Sequence, residues 1–388
     1  METYNDKVND DVKIIVLRTN RGSDKPDADS RLLGRTLEQW VIGAMRGMET
    51  VSADYMEGDD ILPVIRPLLS FAKCITVVLY SDTPLITYSA INESINRFRD
   101  EDMNALRLPR GWVLNTGYAK ICDELKATRV MAMGDEDFLT VFNYNQLAYA
   151  SDIMRSRINY YHMSAGVELE DPATVLIDAY AVIEPGAKIG PYSVIKGKSV
   201  IRSGAVIGAH CELDSSVIES GVKVISSNLE SALVCRNAEI GPHAHLRAGT
   251  RIGTGAKIGN YVEIKNSRIG AGTKVCHLTY VGDADIGEDC NIGAGVVFAN
   301  YDGATKRRTT LGKKVFVGSN STLVAPLHIG NGAFIAAGSV ITSDVPENAL
   351  AISRAMTTIK NDWQNNAFTR KAEDNRTASG DTDANSGT

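Results

Sequence analysis

Cysteine is scarce and scattered in this 388-residue chain. Its six residues, Cys74, Cys122, Cys211, Cys235, Cys276 and Cys290, show no CxxC spacing. That excludes a disulfide framework and a zinc ligand set, and points to reduced, mostly buried thiols in a cytoplasmic protein. Long apolar runs are also missing, since none approaches the roughly 18 residues that a membrane span needs. Residues 1–11 are polar and acidic, without the basic and apolar regions of a signal peptide. No membrane insertion is expected. Positive charge is in the minority, and the net charge of −6 opposes non-specific binding of a nucleic acid. A small anionic substrate stays open wherever basic residues cluster. Aromatic residues are few, at 6%, whereas glycine reaches 34. That pairing suggests many tight turns around thin aliphatic layers.

What the chain does have is a period of six. Ile183, Ile189, Ile195, Ile201, Ile207 and Leu213 recur at that spacing, as do Ile240, Leu246, Ile252, Ile258 and Ile264, and then Leu311, Val317, Leu323, Ile329, Ile335 and Ile341. Neither a helix nor an alternating strand repeats every six residues. Short strands separated by turns do, three to a coil of about 18 residues, and stacked coils bury one aliphatic column. The glycines that follow many of these residues, as in Ile252-Gly253, would supply backbone freedom at the corners. Residues 183–341 are therefore expected to form a hexapeptide-repeat β-helix. Two stretches break the period. Residues 299–310, ANYDGATKRRTT, are polar and basic, and loops leaving a rigid solenoid tend to carry function. Residues 216–235 keep only a blurred register and read as an irregular coil.

The first half has a different grammar. Residues 12–17 and 75–80 read as buried strands, and residues 33–45, 61–72 and 89–99 as helices, which together imply an α/β domain with a parallel sheet. Residues 146–165 read as a connecting helix ended by Gly166. The expected organisation is an α/β domain over residues 1–145, a linker helix within 146–170, the β-helix over 171–355, and a terminal segment, 356–388, whose polar tail is expected to be disordered.

The strings GDADIGEDCNIGAG, NYDGATKRRTT, VFVGSNSTLVAP and VPENALAISR resemble one family. It comprises the bacterial bifunctional enzymes that acetylate glucosamine-1-phosphate and then uridylate it to UDP-N-acetylglucosamine. The similarity covers residues 146–363 and is dense from Arg247 onward. It implies a left-handed parallel β-helix acting as a glucosamine-1-phosphate N-acetyltransferase with acetyl-CoA as co-substrate. It further implies a homotrimer whose sites lie between subunits, in UDP-N-acetylglucosamine and peptidoglycan-precursor synthesis. By the same resemblance His277 is the catalytic base, Glu263 helps to orient it, and Asn300 lies near the reacting carbonyl. Arg247, Lys265 and Lys306 would hold the sugar phosphate, with Tyr280 and Asn291 lining the sugar. Ala294, Ser319, Ala337 and Arg354 would contact acetyl-CoA. The chemistry suits these types: an amine attacking a thioester must lose a proton to a base, and a phosphate wants cations.

The resemblance fails in the first half, which reads as a shortened, degenerate, Rossmann-like relative of the family's nucleotidyltransferase domain. After Leu17 comes RTNRGSDKPDADSRLL, with one glycine where the family has a glycine-rich phosphate loop, and with Asp24, Asp27 and Asp29 to repel a triphosphate. Asp82 matches a metal-binding Asp, but the second metal ligand falls on Phe142, with Asn143 beside it. Magnesium would be needed only if this domain were active, and uridyl transfer is expected to be lost. Residues 110–125, RGWVLNTGYAKICDEL, read as a strand followed by a helix.

Blander readings stand beside these. His243 and His245 could face one side of a strand, but with no carboxylate or cysteine ligand apparent they read as two exposed histidines; His210 and His328 read as structural. Lys306, Arg307 and Arg308 could be a solvated run, although their place in the large period break favours substrate contact, mainly through Lys306. Retained bifunctionality, a different amino-sugar acceptor and a non-enzymatic sugar-nucleotide scaffold are the alternatives.

Overall fold

A computed structural model describes residues 10–22, 24–45, 47–130 and 136–363. Most of residues 1–11 and the tail beyond Trp363, with the disorder expected of it, lie outside the described residues.

From Glu168 to Ala351 the chain winds as a left-handed β-helix of strands two to four residues long, gathered into three parallel sheets of ten, nine and eleven strands. The period of six becomes three columns of identical pairing: Ile183 with Ile201, Ile189 with Ile207, Ile195 with Leu213. These side chains are fully or almost fully buried in one continuous aliphatic core. Each such burial stabilises the coil by about 1.5–3 kcal/mol relative to exposure. Buried hydroxyls tie successive coils together, as where Ser193 donates to the Gly208 carbonyl at 2.8 Å and Thr273 to that of Gly287 at 2.7 Å.

Two expectations need correcting here. The glycines after the repeat isoleucines mostly serve close approach rather than backbone freedom. A Cβ at Gly253 would stand 2.6 Å from the Ala271 nitrogen of the next coil, and no left-handed φ is involved. Residues 216–235 are not irregular either. Val200 pairs with Val217, Glu212 with Asn228 and Val217 with Leu233, so the ladder continues through coils of 17 or 16 residues. The lost residues come out of the corners, which are turned by single residues at φ of 41–48°: Ser215, Ser226 and Ser231. A small polar side chain tolerates that region better than a β-branched one would.

The N-terminal part is α/β, but its sheet is mixed rather than parallel. Its strands lie in the order Glu49–Met56, Val12–Asn20, Ile75–Tyr80, Gly111–Asn115, Ala105–Leu108, Arg129–Val130. The first three run parallel, whereas Gly111–Asn115 is antiparallel to both of its neighbours. The reversal comes from a two-residue hairpin link at Pro109 and Arg110. Gly111, at φ +143°, has its α-carbon so close to the Val78 carbonyl that a Cβ would approach to 2.4 Å. The first helix is shorter than expected, Leu37–Ala44, because Leu33 and Gly34 turn a small hairpin before Thr36 and Gln39 close a capping box. Residues 61–72 give only the helix Ile61–Ile65 and a 3-10 turn, Arg66–Leu68, that carries Pro67. The connecting helix spans Tyr144–Ser164, and Gly166 turns the chain at φ +94°. Asn159 anchors this helix to the solenoid, donating to the Pro172 and Val175 carbonyls at 2.8 and 3.0 Å. Of the six free cysteines three are buried, fewer than expected.

Candidate active site

One face of the solenoid gathers most of the predicted residues. Consecutive coils present Glu263–Lys265 and Tyr280–Gly282 as paired strands, with His245 paired to Glu263 on the other side. Because Ile264 and Val281 point inward, Glu263, Lys265 and Tyr280 point out. Gly282 lets Tyr280 and Asn300 pack closely over it: a Cβ there would stand 2.5 Å from the Tyr280 hydroxyl and 2.6 Å from the Asn300 amide nitrogen.

The loop of residues 299–310 returns over this face. Asp302 folds its tip by accepting from the Ala304 and Thr305 amides at 2.9 and 2.7 Å, and these bonds hold its carboxyl down at about pKa 2. The loop carries Lys306 to the side of Lys265. That ammonium, with Arg247 beyond it, holds the Lys265 pKa below its ordinary value. Among the described residues neither lysine forms an ion pair. Arg308 serves differently from the substrate contact considered for its run, since it grips the Asp285 carboxylate through two bonds of 2.6 and 2.8 Å and clips the loop to the coil.

Asn300 is buried and donates to Asp283 at 2.6 Å. Asp283 accepts from Asn266 as well, at 2.5 Å. Sequence reasoning passed over both. The signal was present, for the spacing falls to five between Glu263 and Arg268 and again between Tyr280 and Asp285. Asn266 and Asp283 turn those two corners at φ +47° and +49°.

His277 stands at the opposite edge of the same face, before the strand Tyr280–Gly282, exposed to solvent. Its imidazole has no hydrogen bond to any described residue. Glu263 does not orient it within this chain, because its carboxylate accepts from Arg247 at 2.9 Å. The strand between the His277 and Asp283 corners is three residues, roughly 10 Å, so His277 and Asn300 are not brought together by one chain. His277 does head a column. The amide after each corner residue donates to its counterpart one coil earlier: Gly295 to His277 at 3.3 Å, Asn320 to Ala294 at 2.8 Å and Gly338 to Ser319 at 2.9 Å. Arg354 closes the column by donating to the Ala337 carbonyl at 3.1 Å. Thus His277, Ala294, Ser319, Ala337 and Arg354 run in file along one corner. Asn291 lies on the adjoining sheet between Lys274 and Phe316, away from Tyr280.

The remaining histidines take quiet roles. His243 stacks on Tyr261 and His210 on Tyr192, both at 5.1 Å. His245 departs from expectation by facing a carboxylate, Glu230, at 3.1 Å.

Asp82 is the predicted metal ligand of the first half, and its surroundings do not fit a metal. It is fully buried, and its oxygens accept from Arg21 and, at 2.7 and 3.2 Å, from Arg110. Glu57 receives the same two arginines. Burial works against the Arg110 charge, but its bonds to Asp82 and Glu57 outweigh that and raise its pKa. Phe142 stacks on Arg21 at 4.3 Å, and Asn143 caps the connecting helix by accepting from the Gln146 amide. Two guanidinium groups therefore occupy the place where a cation would be coordinated, and no group of three His, Cys, Asp or Glu suited to a metal exists among the described residues. The loop that follows the first strand is likewise folded on itself, with Asp29 and Glu38 paired to Arg18 and Asp27 capping Ser30.

The family model for the bacterial transferase hexapeptide (six repeats) matches residues 180–215, 231–266 and 308–343. The chain is 45% identical over 225 residues to the Bifunctional protein GlmU of Clostridium novyi (strain NT), covering 58% of this chain and 49% of that relative. Identity to the GlmU of Nitratidesulfovibrio vulgaris (strain DP4) is 42% over 297 residues, 74% of this chain and 64% of that relative. The chain belongs to the GlmU family. It spans about half the length of most of the curated GlmU relatives it matches. Among solved structures, the Francisella novicida UDP-N-acetylglucosamine acyltransferase is similar at 17% identity and a TM-score of 0.34, covering 48% of this chain and 66% of that one. LpxA from Acinetobacter baumannii is similar at 21% and 0.25, covering 52% and 77%. Among the described residues of this GlmU-family chain no helix is long and apolar enough to cross a membrane.

Proposed function

We propose that this chain transfers the acetyl group of acetyl-CoA to the 2-amine of glucosamine-1-phosphate, and that its N-terminal domain has lost uridyl transfer. The observation that carries the first part is the pair Lys265–Lys306. Among the described residues the Lys265 ammonium forms no ion pair, and Lys306 and Arg247 destabilise it by more than the nearby Asp283 carboxylate offsets, so an anion that joins the two lysines stabilises it. A sugar phosphate supplies that anion and sets the sugar against Tyr280. The amine nitrogen attacks the thioester carbonyl, the new C–N bond forms and the C–S bond breaks. His277 takes the amine proton, and CoA leaves as its thiolate. Asn300 uses one amide N–H on Asp283, and its second N–H is free to donate to the developing oxyanion. The corner column from Ala294 to Arg354 offers a track for an extended thioester arm that ends at His277.

The separation of His277 from Asn300 along one chain favours a homotrimer in which one subunit's His277 column faces another's Lys265–Lys306 edge. The product would enter UDP-N-acetylglucosamine synthesis in the cytoplasm. Loss of uridyl transfer is supported by the arginines on Asp82, which leave no room for magnesium.

Two assays test the reading. Thiol release is expected from acetyl-CoA with glucosamine-1-phosphate, and no release would remove the acetyltransferase proposal. Pyrophosphate release from UTP and N-acetylglucosamine-1-phosphate with magnesium is expected to be absent, and its appearance would overturn the claimed loss.

A further inference from the structure

Asp283 touches no reacting group in the chemistry just proposed, yet both ends of the loop meet it. Its backbone N–H donates to the Lys265 carbonyl at 3.1 Å, and its carbonyl accepts from the Thr309 amide at 3.1 Å. Its carboxylate accepts from Asn300 at 2.6 Å and from Asn266 at 2.5 Å. The residue is 8% exposed and sits in the left-handed region at φ +49°. Asn300 opens the loop and Thr309 closes it, so one residue fastens both ends. Asn266 adds a tie to the closing end from the preceding coil, since its carbonyl accepts from Arg308 at 3.2 Å.

We propose that Asp283 is the positioning residue of this site: with Asn266 it forms a clasp that sets the Asn300 amide and holds the loop bearing Lys306 over the sugar-phosphate face. A carboxylate is required because two amide nitrogens converge on it, one on each oxygen. A neutral amide at that position could accept from only one of them and would turn its own N–H groups toward the other. The catalytic half of the inference rests on the acetyltransferase reading. The loop-ordering half does not.

The test exploits that asymmetry. In Asp283→Asn one donor faces a donor, and the Asn300 amide loses its fixed direction. A shift of about 1 Å at a reacting group can cost 10²-fold in rate, so kcat is expected to fall roughly 10²-fold. KM for acetyl-CoA stays unchanged, because the Ala294–Arg354 column makes no contact with Asp283. Adding Asn266→Asp restores one donor and one acceptor at each contact. The double variant is expected to recover kcat to within about threefold of the parent. A purely structural role would not predict recovery from a second substitution that by itself removes a hydrogen-bond donor. The activity-free readout is trypsin, which has Lys306, Arg307 and Arg308 as targets in the loop. Cleavage there is expected to accelerate in Asp283→Asn and to slow again in the double variant. Unchanged kcat and cleavage in a folded Asp283→Asn would overturn the clasp, as would a double variant no better than the single. Should Asp283→Asn fail to fold, Asn266→Ala, which removes one donor and leaves the carboxylate, must still speed cleavage for the clasp to stand. If the parent protein releases no CoA, the functional reading falls while the trypsin series still decides on the clasp.

Discussion

Two places in this molecule collect cations, and they treat them in opposite ways. Around Asp82, Arg21 and Arg110 are enclosed, stacked on Phe142 and Tyr80, and matched by Asp82 and Glu57. Two positive groups meet two negative ones, so nothing is left for a ligand to neutralise. On the solenoid face Lys265 and Lys306 meet each other, with Arg247 turned to Glu263. The first arrangement is complete without a substrate, whereas the second gains stability when an anion arrives. Whether a basic cluster is scaffold or site thus depends on its carboxylates rather than on its cations. Arg308, two residues from Lys306, belongs with the scaffold because Asp285 holds it.

The largest expected effect breaks the first member of this pair. Asp82→Ala leaves two arginines enclosed with one carboxylate between them, which costs about 3–5 kcal/mol in such settings. Chemical denaturation is expected to show that loss in the N-terminal transition while CoA release persists. Equal loss of CoA release would mean that the Asp82 cluster supports catalysis after all. Next in size, His277→Ala is expected to lower turnover by about 10²-fold with little change in folding. Mixing His277→Ala and Lys306→Ala subunits sharpens the result. If each site draws on two chains, co-refolded mixtures assayed at glucosamine-1-phosphate well below its KM exceed the mean of the two parents; a mixture no faster than that mean would argue that each chain builds its own site.

The unevenness of what could be read from the sequence has a physical origin. The solenoid was legible because each interior isoleucine answers to its neighbours six residues away, a local constraint repeated some thirty times in short strands. The edge strand Glu49–Met56 was not, since only Tyr55 within it is buried and no apolar pattern marks it. Gly111–Asn115 was recognised as a strand, but its direction depends on a two-residue link rather than on its own composition. The site residues of the C-terminal half were assigned by resemblance, and the structure gathers Arg247, Glu263, Lys265, Tyr280, Asn300 and Lys306 on one face. The Glu263–Arg247 bond and the distance of Asn291 escaped that reading because they depend on side-chain direction within a coil. The Arg21–Asp82–Arg110 cluster joins residues 61 and 28 positions apart, and no motif encodes such a meeting.

A smaller effect separates the two kinds of basic residue inside the loop. Lys306→Ala is expected to raise KM for the sugar phosphate roughly tenfold, as removal of one charge-assisted contact does, and to leave kcat within about twofold. Arg308→Ala is expected instead to loosen the loop, so that trypsin cleaves it faster, with a weaker effect on KM. Reversal of those two outcomes would exchange their roles.

The smallest effect is a pH dependence, and its sign follows from Lys265. Lys306 and Arg247 hold its pKa below the ordinary 10.5, so it sheds its proton at a lower pH in the folded chain than in the unfolded one. Between those two values the unfolded state binds more protons, and the free protein gains stability as pH rises. Binding behaves in the opposite way. A phosphate needs the ammonium, so affinity falls as pH climbs through the depressed pKa, while the phosphate itself is already a dianion. Replacing the lysine by arginine, whose charge persists above pH 12, is expected to flatten that fall. Isothermal titration with glucosamine-1-phosphate between pH 8 and about 10 would read it as a two- to threefold difference in slope. Identical profiles for the parent and Lys265→Arg would place the phosphate away from Lys265, and the solenoid's uncompensated charge would then need another explanation than the one that sets it apart from Asp82.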